Sequence, residues 1–309
     1  MRNIATSLLA LSLAIPAPAT VRAEDPSYYA AFAQQEERLA AVAWRLTTAG
    51  ASWCGKTTLQ PGWILGDLRQ FEQEDRAAAS ETYGAADGPF VAAVAPGSPA
   101  DRAGLTRGTR IAAINGEMIA AAGSEPTIRI DTIIVKLAAL PANAAWTLTD
   151  TDGRLHRVEP APGCASAFRL EQRGAQAAAN GILVRVTVKL AQSIAADDEL
   201  AAVVAHELAH NILRHRDRLG SNRSASRVRK TEIEADRLSV WLMEGAGYDP
   251  AAAIRFWERH KRPLIRDASH PPRGERIAAI EGEMAMMRTA RAAVAAAGPA
   301  WIDTLPPLE

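Results

Sequence analysis

The sequence predicts an α+β chain: a mainly helical unit with a small β-sheet towards its C-terminal end, and a smaller unit of strands and helices inserted before it. Three observations carry that reading. Leu200, Val204, Leu208 and Ile212 recur at i+4 and lay an apolar stripe along a helix expected over Asp197–Arg216. Gly181 to Leu190 alternates branched and polar residues after an Asn180-Gly181 turn, the pattern of a strand. Residues 90–116 run through a short apolar strand, a helix opened by Ser98-Pro99, and a tight turn at Asn115-Gly116.

Residues 1–23 read as a signal peptide. Met1-Arg2-Asn3 is a short positive start, Ile4 to Ile15 is apolar, and Val21-Arg22-Ala23 offers small residues for cleavage after Ala23. The apolar run falls short of the ~20 residues that span a bilayer, so an uncleaved anchor is not expected. Residues 24–60 form an N-terminal helical segment, with a helix over Asp25 to Thr48 packing through Phe32, Leu39, Val42 and Leu46. Cys54 and Cys164 are the only two cysteines, and an isolated pair in an exported chain predicts a disulfide.

The inserted unit is expected over residues 61–162. Phe90 to Val94 is its strand, Ser98-Pro99 starts a short helix that Gly104 stops, and Ile111 to Ile114 leads into the Asn115-Gly116 turn. Thr127 to Leu140 supplies a longer helix, and Ala145 to Glu159 a hairpin turning at Asp152-Gly153. This succession resembles a bacterial PDZ domain, a β-sandwich with helices that binds extended peptides by strand addition. By that resemblance Ile64 to Leu68 is the loop that would hold a peptide's terminal carboxylate, and the charge of Asp67 argues against such capture.

The chemistry lies in residues 163–309. His206-Glu207-Leu208-Ala209-His210 is an H-E-x-x-H motif, and at 3.6 residues per turn its histidines lie about 40° apart on one helix face. Two imidazoles so placed reach one tetrahedral zinc ion, with Glu207 beside them to handle a proton. Glu232 and Asp236, four apart on a second helix expected over Thr231–Gly245, share a face; one supplies the third ligand and the other a hydrogen bond to a ligand histidine. Glu234 points about 160° away from Glu232 and ranks below it. His215 falls about 180° from His206 on a continuous helix and is expected to be a surface or capping histidine. Between them, Arg214 to Lys230 carries seven basic residues and one acid, the composition of a mobile solvated loop that would flap over a cleft or favour acidic substrates. Asp249-Pro250 starts a helix with Phe256 and Trp257 as core, and Ile277 to Ala297 forms a last one, with Met284, Met286 and Met287 packing.

The motif helix, Glu232-x-x-Ala235-Asp236, and Ser269-His270-Pro271 followed by Arg276 resemble zinc metallopeptidase family forty-eight, the family of the CAAX prenyl protease and HtpX. The resemblance covers roughly Ala165 to Met286 and implies a helical gluzincin-type domain. By it, His206, His210 and Glu232 bind one Zn2+ per chain, Glu207 is the catalytic carboxylate and Asp236 supports a ligand histidine. His270 and Arg276 would lie near the metal, gating its open position or contacting substrate, and His270 is a candidate for a latch on that position. The strand Gly181 to Leu190 would line the cleft as an edge strand, or sit half-buried in the core. Gln176 stands where relatives tend to have Asn.

Lys plus Arg and Asp plus Glu both count 35, so no net charge steers the chain to nucleic acid or anionic lipid. No later stretch is long and apolar enough to cross a membrane. The expectation is an exported, periplasmic or secreted zinc endopeptidase acting on unfolded or misassembled exported proteins, with any envelope machinery partner unidentified. The alternative is a peptide-binding, chaperone-like envelope factor whose zinc site is latent or structural.

Overall fold

The computed structural model describes residues 26–119, 125–174, 176–260, 270–290, 299–305 and 308. The signal peptide and Ser269 lie outside the described residues. The chain begins with α1 (Pro26–Ala49), on which Phe32, Leu39, Val42 and Leu46 are all buried. Then come β1 (Thr57–Leu59), β2 (Trp63–Asp67), α2 (Arg76–Tyr83), β3 (Pro89–Val94), α3 (Pro99–Arg102), β4 (Ile111–Ile114), β5 (Glu117–Met118), α4 (Ile128–Ala139), β6 (Trp146–Asp150) and β7 (Leu155–Val158). The remainder is β8 (Pro162–Cys164), β9 (Ala167–Glu171), β10 (Ala177–Ala179), β11 (Leu183–Thr187), α5 (Val188–Ser193), α6 (Asp197–Ile212), α7 (His215–Leu219), α8 (Ala225–Gly245), α9 (Ala251–Arg259) and α10 (Arg273–Ala290).

Two apolar cores result. The smaller, in the inserted unit, gathers Leu65, Val91, Ile111, Ile130, Ile133 and Leu148 under an antiparallel sheet of order β5-β4-β6-β7 and the β2-β3 pair. Its turns follow from local chemistry. Ser98 Oγ accepts from Asp101 N–H at 3.3 Å and Pro99 opens α3. Asn115 and Gly116 both have positive φ, 49° and 78°, the backbone of a two-residue hairpin turn between β4 and β5. The larger core packs α1 against α5, α6, α8 and the three-stranded sheet, so the N-terminal helix is an integral wall of the C-terminal unit. Cys54 and Cys164 form a disulfide across 110 positions, next to the β1–β8 pairing. A crosslink of that span is worth about 4–5 kcal/mol where chain entropy alone counts.

Several expectations change. Asp67 is fully buried and paired with Arg129 Nε at 2.5 Å, and Arg129 also binds Asp87 at 2.6 Å. Its charge is therefore neutralised inside the fold and repels no ligand. The groove between β2 and α4, lined by Leu65, Ile130 and Leu137, meets Trp44 of α1 and Phe168 of β9, leaving a cavity of about 100 Å³. That is small beside the ~300 Å³ and upwards of ordinary ligand pockets. The basic stretch 214–230 is mostly helical: α7 and the start of α8 take up all but a short turn. Asp197 is the first helical residue of α6, with Ala196 at the cap, and it pairs with Arg38 at 2.9 Å. The strand expected over 181–190 narrows to β11, which is central in the order β10-β11-β9; the edge is β10. Trp257 is half-buried and packs against the larger core, whereas Met286 is exposed and does not pack.

One buried pair makes stability depend on pH. Glu36 is 1% exposed and accepts a 2.5 Å hydrogen bond from Tyr83 Oη. Burial pushes its carboxyl up to about 8, against the pull of Tyr83 and Arg107. The unfolded side chain titrates near 4.3. Between those values the native state holds a proton that the unfolded chain has lost, so this contribution is complete at acid pH and is lost as pH rises towards 8. Glu36→Gln keeps the acceptor and removes the titration. Urea unfolding at pH 5, 6.5 and 8 is expected to show the variant gaining on wild type as pH rises, by roughly 2–4 kcal/mol at pH 8. Parallel stability–pH curves for the two proteins would contradict this.

Candidate metal centre

The site forms where α6 crosses α8. Ala201, Ala205 and Ala209 on α6 and Ala235 on α8 are buried, and the two helices pack on each other within the larger core. His206 and His210 project from one face of α6 with their Nε2 atoms 3.1 Å apart. Glu232 on α8 completes a triangle, its Oε2 3.4 Å from His206 Nε2 and its Oε1 3.5 Å from His210 Nε2. Three donors bonded at ~2.0–2.1 Å to a tetrahedral ion stand ~3.3 Å from one another. The three side chains therefore already hold the edges of one tetrahedral face, and their chemistry, two imidazoles and a carboxylate, fits a divalent metal ion.

The outward nitrogen of each imidazole has its own partner. His206 Nδ1 lies 3.0 Å from Asp236 Oδ1. Asp236 is in turn gripped by Arg276, whose Nε and Nη2 donate to the two carboxylate oxygens at 2.7 and 2.6 Å. Arg276 is 5% exposed, sits 3.5 Å from Glu232 Oε2 and stacks on Trp257 at 4.0 Å. On the other side, His210 Nδ1 lies 2.8 Å from His215 Nδ1, and His215 Nε2 lies 3.0 Å from Glu234 Oε2, which Arg218 also contacts. With His210 Nε2 turned to the metal, its Nδ1–H donates to His215, and His215 donates onward to Glu234.

His215 is thus no surface histidine; it is 2% exposed. On one uninterrupted helix it would face away. Instead Arg214 adopts left-handed φ of 53°, ends the α6 path, and starts α7 in a direction that folds His215 back onto His210. The composition around Leu213-Arg214 gives no warning of this turn. Only the third histidine at this short remove, with acids at 232 and 234, hinted at a larger cluster.

Asn211 fixes α6 to the sheet: its Oδ1 accepts from Gly181 N–H at 2.7 Å and its Nδ2 donates to Ser166 Oγ at 2.8 Å. This anchors the β10–β11 turn, so that Gln176 to Ala179 line one wall of a cavity of about 810 Å³. Glu207, Glu232 and His270 line the same cavity. His270 Nε2 is 3.9 Å from Glu232 Oε1 and, among the described residues, is not part of the three-donor cluster.

Electrostatics separate the two histidines. Burial disfavours charge on His206 and Arg276 repels it, yet Asp236 and Glu232 outweigh both and raise it to about 9. Burial, and then the charge on His206, hold His210 well below the usual imidazole range. Burial opposes ionisation of Glu232, but His206, His210 and Arg276 keep it well below the usual carboxylate range. Glu207 is pushed by burial up to about 7, against the pull of His206.

Two outcomes follow. Metal-free protein at pH 7.5 carries a proton on His206 that a metal ion must displace, so metal uptake is expected to release about one proton. Uptake weakens as pH falls and releases none well above pH 9. Calorimetry in buffers of different ionisation enthalpy measures this, and buffer-independent heat would refute it. His215→Ala is expected to weaken metal binding by about 10–100-fold, read by competition with a chromophoric chelator; unchanged affinity would deny His215 any hold on His210.

Comparison with known proteins finds two family matches along the chain. Residues 90–129 match the PDZ domain, and residues 170–225 and 217–284 match peptidase family M48. A curated relative is the mitochondrial metalloendopeptidase OMA1 of Schizosaccharomyces pombe, 31% identical over 28% of this chain and 36% of its own length. The chain thus matches about a third of that relative. The His-His-Glu triangle thus lies inside the segment, residues 170–284, that is similar to peptidase family M48, and the segment similar to a PDZ domain, residues 90–129, stands ahead of it.

Proposed function

We propose that the chain is a zinc-dependent endopeptidase that cleaves unfolded or misassembled exported proteins, as part of protein quality control. The observation that carries the reading is the tetrahedral triangle of His206, His210 and Glu232 at the wall of a large cleft, with Glu207 on the same helix. A zinc ion held there supplies Lewis acidity and brings the pKa of a bound water towards neutrality.

The protein's own groups do the rest. Glu207, which burial lifts above the usual carboxylate range in the metal-free site, is placed beside the ligand histidines as the carboxylate that takes a proton from the attacking water and returns it to the leaving amine. Asp236 and His215 hold the two imidazoles in the orientation that presents Nε2. Arg276 acts through Asp236 and Glu232, since its guanidinium is buried and bonded to the former. His270, at the cavity wall, is the group we assign to the developing oxyanion. The outer edge of β10 pairs with no strand among the described residues, and its three alanines leave room for a substrate backbone to add as a further strand.

An exported, periplasmic setting accords with the apolar N-terminal stretch and with the disulfide. Among the described residues no helix is long and apolar enough to cross a membrane.

Glu207→Gln is expected to retain one metal ion per chain and to lose cleavage of unfolded casein by about a hundred- to ten-thousandfold, and a chelator to abolish the wild-type reaction. Undiminished cleavage by the variant, or wild type purified without stoichiometric metal, would overturn the proposal.

A further inference from the structure

Beyond Arg214, His215 and Arg218, the basic stretch after the motif has no part in the chemistry described so far, and the fold sorts its members. Between Arg214 and Lys230 stand seven basic residues and one acid, in a chain of zero net charge. Arg214 bonds Asp217 at 3.1 Å, Arg218 bonds Glu234, and Arg227 donates to the Arg218 carbonyl at 2.8 Å. Three more, unlike Lys230, line the cleft. Arg216 of α7, Arg223 of the turn and Arg229 of α8 line the cavity, and Arg273, the first residue of α10, joins them.

All four are exposed, and among the described residues no carboxylate lies within ion-pair distance of Arg216, Arg223 or Arg273. The acids in the cavity wall are Glu207, Glu232 and Asp236, which belong to the metal centre. The Arg216 stem lies against Gly181: a Cβ there would stand 3.8 Å from Arg216 Cδ. Its guanidinium is therefore carried at the β10–β11 turn, at one end of the strand edge open to a peptide. Gathering like charges around an opening does nothing for folding, since they repel one another. It raises the local concentration of anions at that opening.

Resting on the peptidase reading, we propose that the cleft selects polypeptide segments with aspartate or glutamate close to the scissile bond, recognised by Arg216, Arg223, Arg229 and Arg273. Guanidinium forks match carboxylates in geometry as well as charge. At ~0.1 M salt the attraction reaches about 10 Å, which confines it to side chains of the segment lying in the cleft. Nucleic acid is the less apt occupant, because the cavity wall includes β10, whose open edge can pair with a polypeptide backbone and not with a phosphate chain.

The test uses matched peptides that differ only in carrying Asp and Glu, or Asn and Gln, on both sides of one cleavage site. Binding is read by fluorescence anisotropy on full-length Glu207→Gln protein, and cleavage as kcat/KM on wild type. The expected ratio of acidic to neutral peptide is about tenfold at 50 mM salt, falling towards one at 0.5 M. Arg216→Gln with Arg223→Gln and Arg273→Gln is expected to bring that ratio near one, whereas Arg157→Gln, exposed on β7, leaves it in place. A wild-type ratio of one, a ratio that survives the triple substitution, or equal competition by a single-stranded oligonucleotide would each overturn the proposal. Cleavage without acidic preference removes this inference and leaves the peptidase reading. Arginine-dependent preference in binding with no cleavage of either peptide does the reverse.

Discussion

The close crossing of α6 on α8 is the contact on which the site depends. It places Glu232 and Asp236, both buried, against two imidazoles, and α10 adds the buried Arg276 beside them. Burying charges is unfavourable unless each finds partners, and removing one member leaves the others uncompensated. Here the compensation is mutual: Arg276 answers Asp236 and Glu232, and Asp236 answers His206.

The two ligand-type histidines differ because their supports differ. His206 leans on a carboxylate clamped by an arginine, and retains a proton far above the ordinary imidazole range. His210 leans on a second imidazole, which reaches Glu234 and Arg218. One histidine is thus electrostatically primed for charge and its neighbour for neutrality, so without a metal ion the two rings in near contact share one proton. That division keeps the paired rings from repelling each other while the remaining donor, Glu232, stays ionised.

The inserted unit is bound into the same body. Its groove between β2 and α4 abuts α1 and β9, the Asp67–Arg129 pair seals its interior, and the disulfide closes the chain next to the β1–β8 pairing. The PDZ elements were legible because each is set locally: Ser98-Pro99 starts α3, Asn115-Gly116 turns β4 into β5, and Gly153 turns β6 into β7. What that unit does with its groove was not legible, because the surfaces that cover it come from residues far away in the chain.

Sequence alone determined the donor set and its spacing. The helical repeat puts His206 and His210 on one face and makes Glu232 and Asp236 neighbours on another, and that geometry holds whatever surrounds the helices. Tertiary structure decided the rest. The crossing of α6 and α8 set which carboxylate faces the Nε2 pair and which meets Nδ1. A left-handed residue at Arg214 turned His215 from an expected surface position into the support of His210. Strand order made β10, not β11, the edge beside the cleft, and the short α7 carried Arg216 to its rim. Each of these depends on one backbone turn or one long-range contact, and neither leaves a periodic trace in the order of residues.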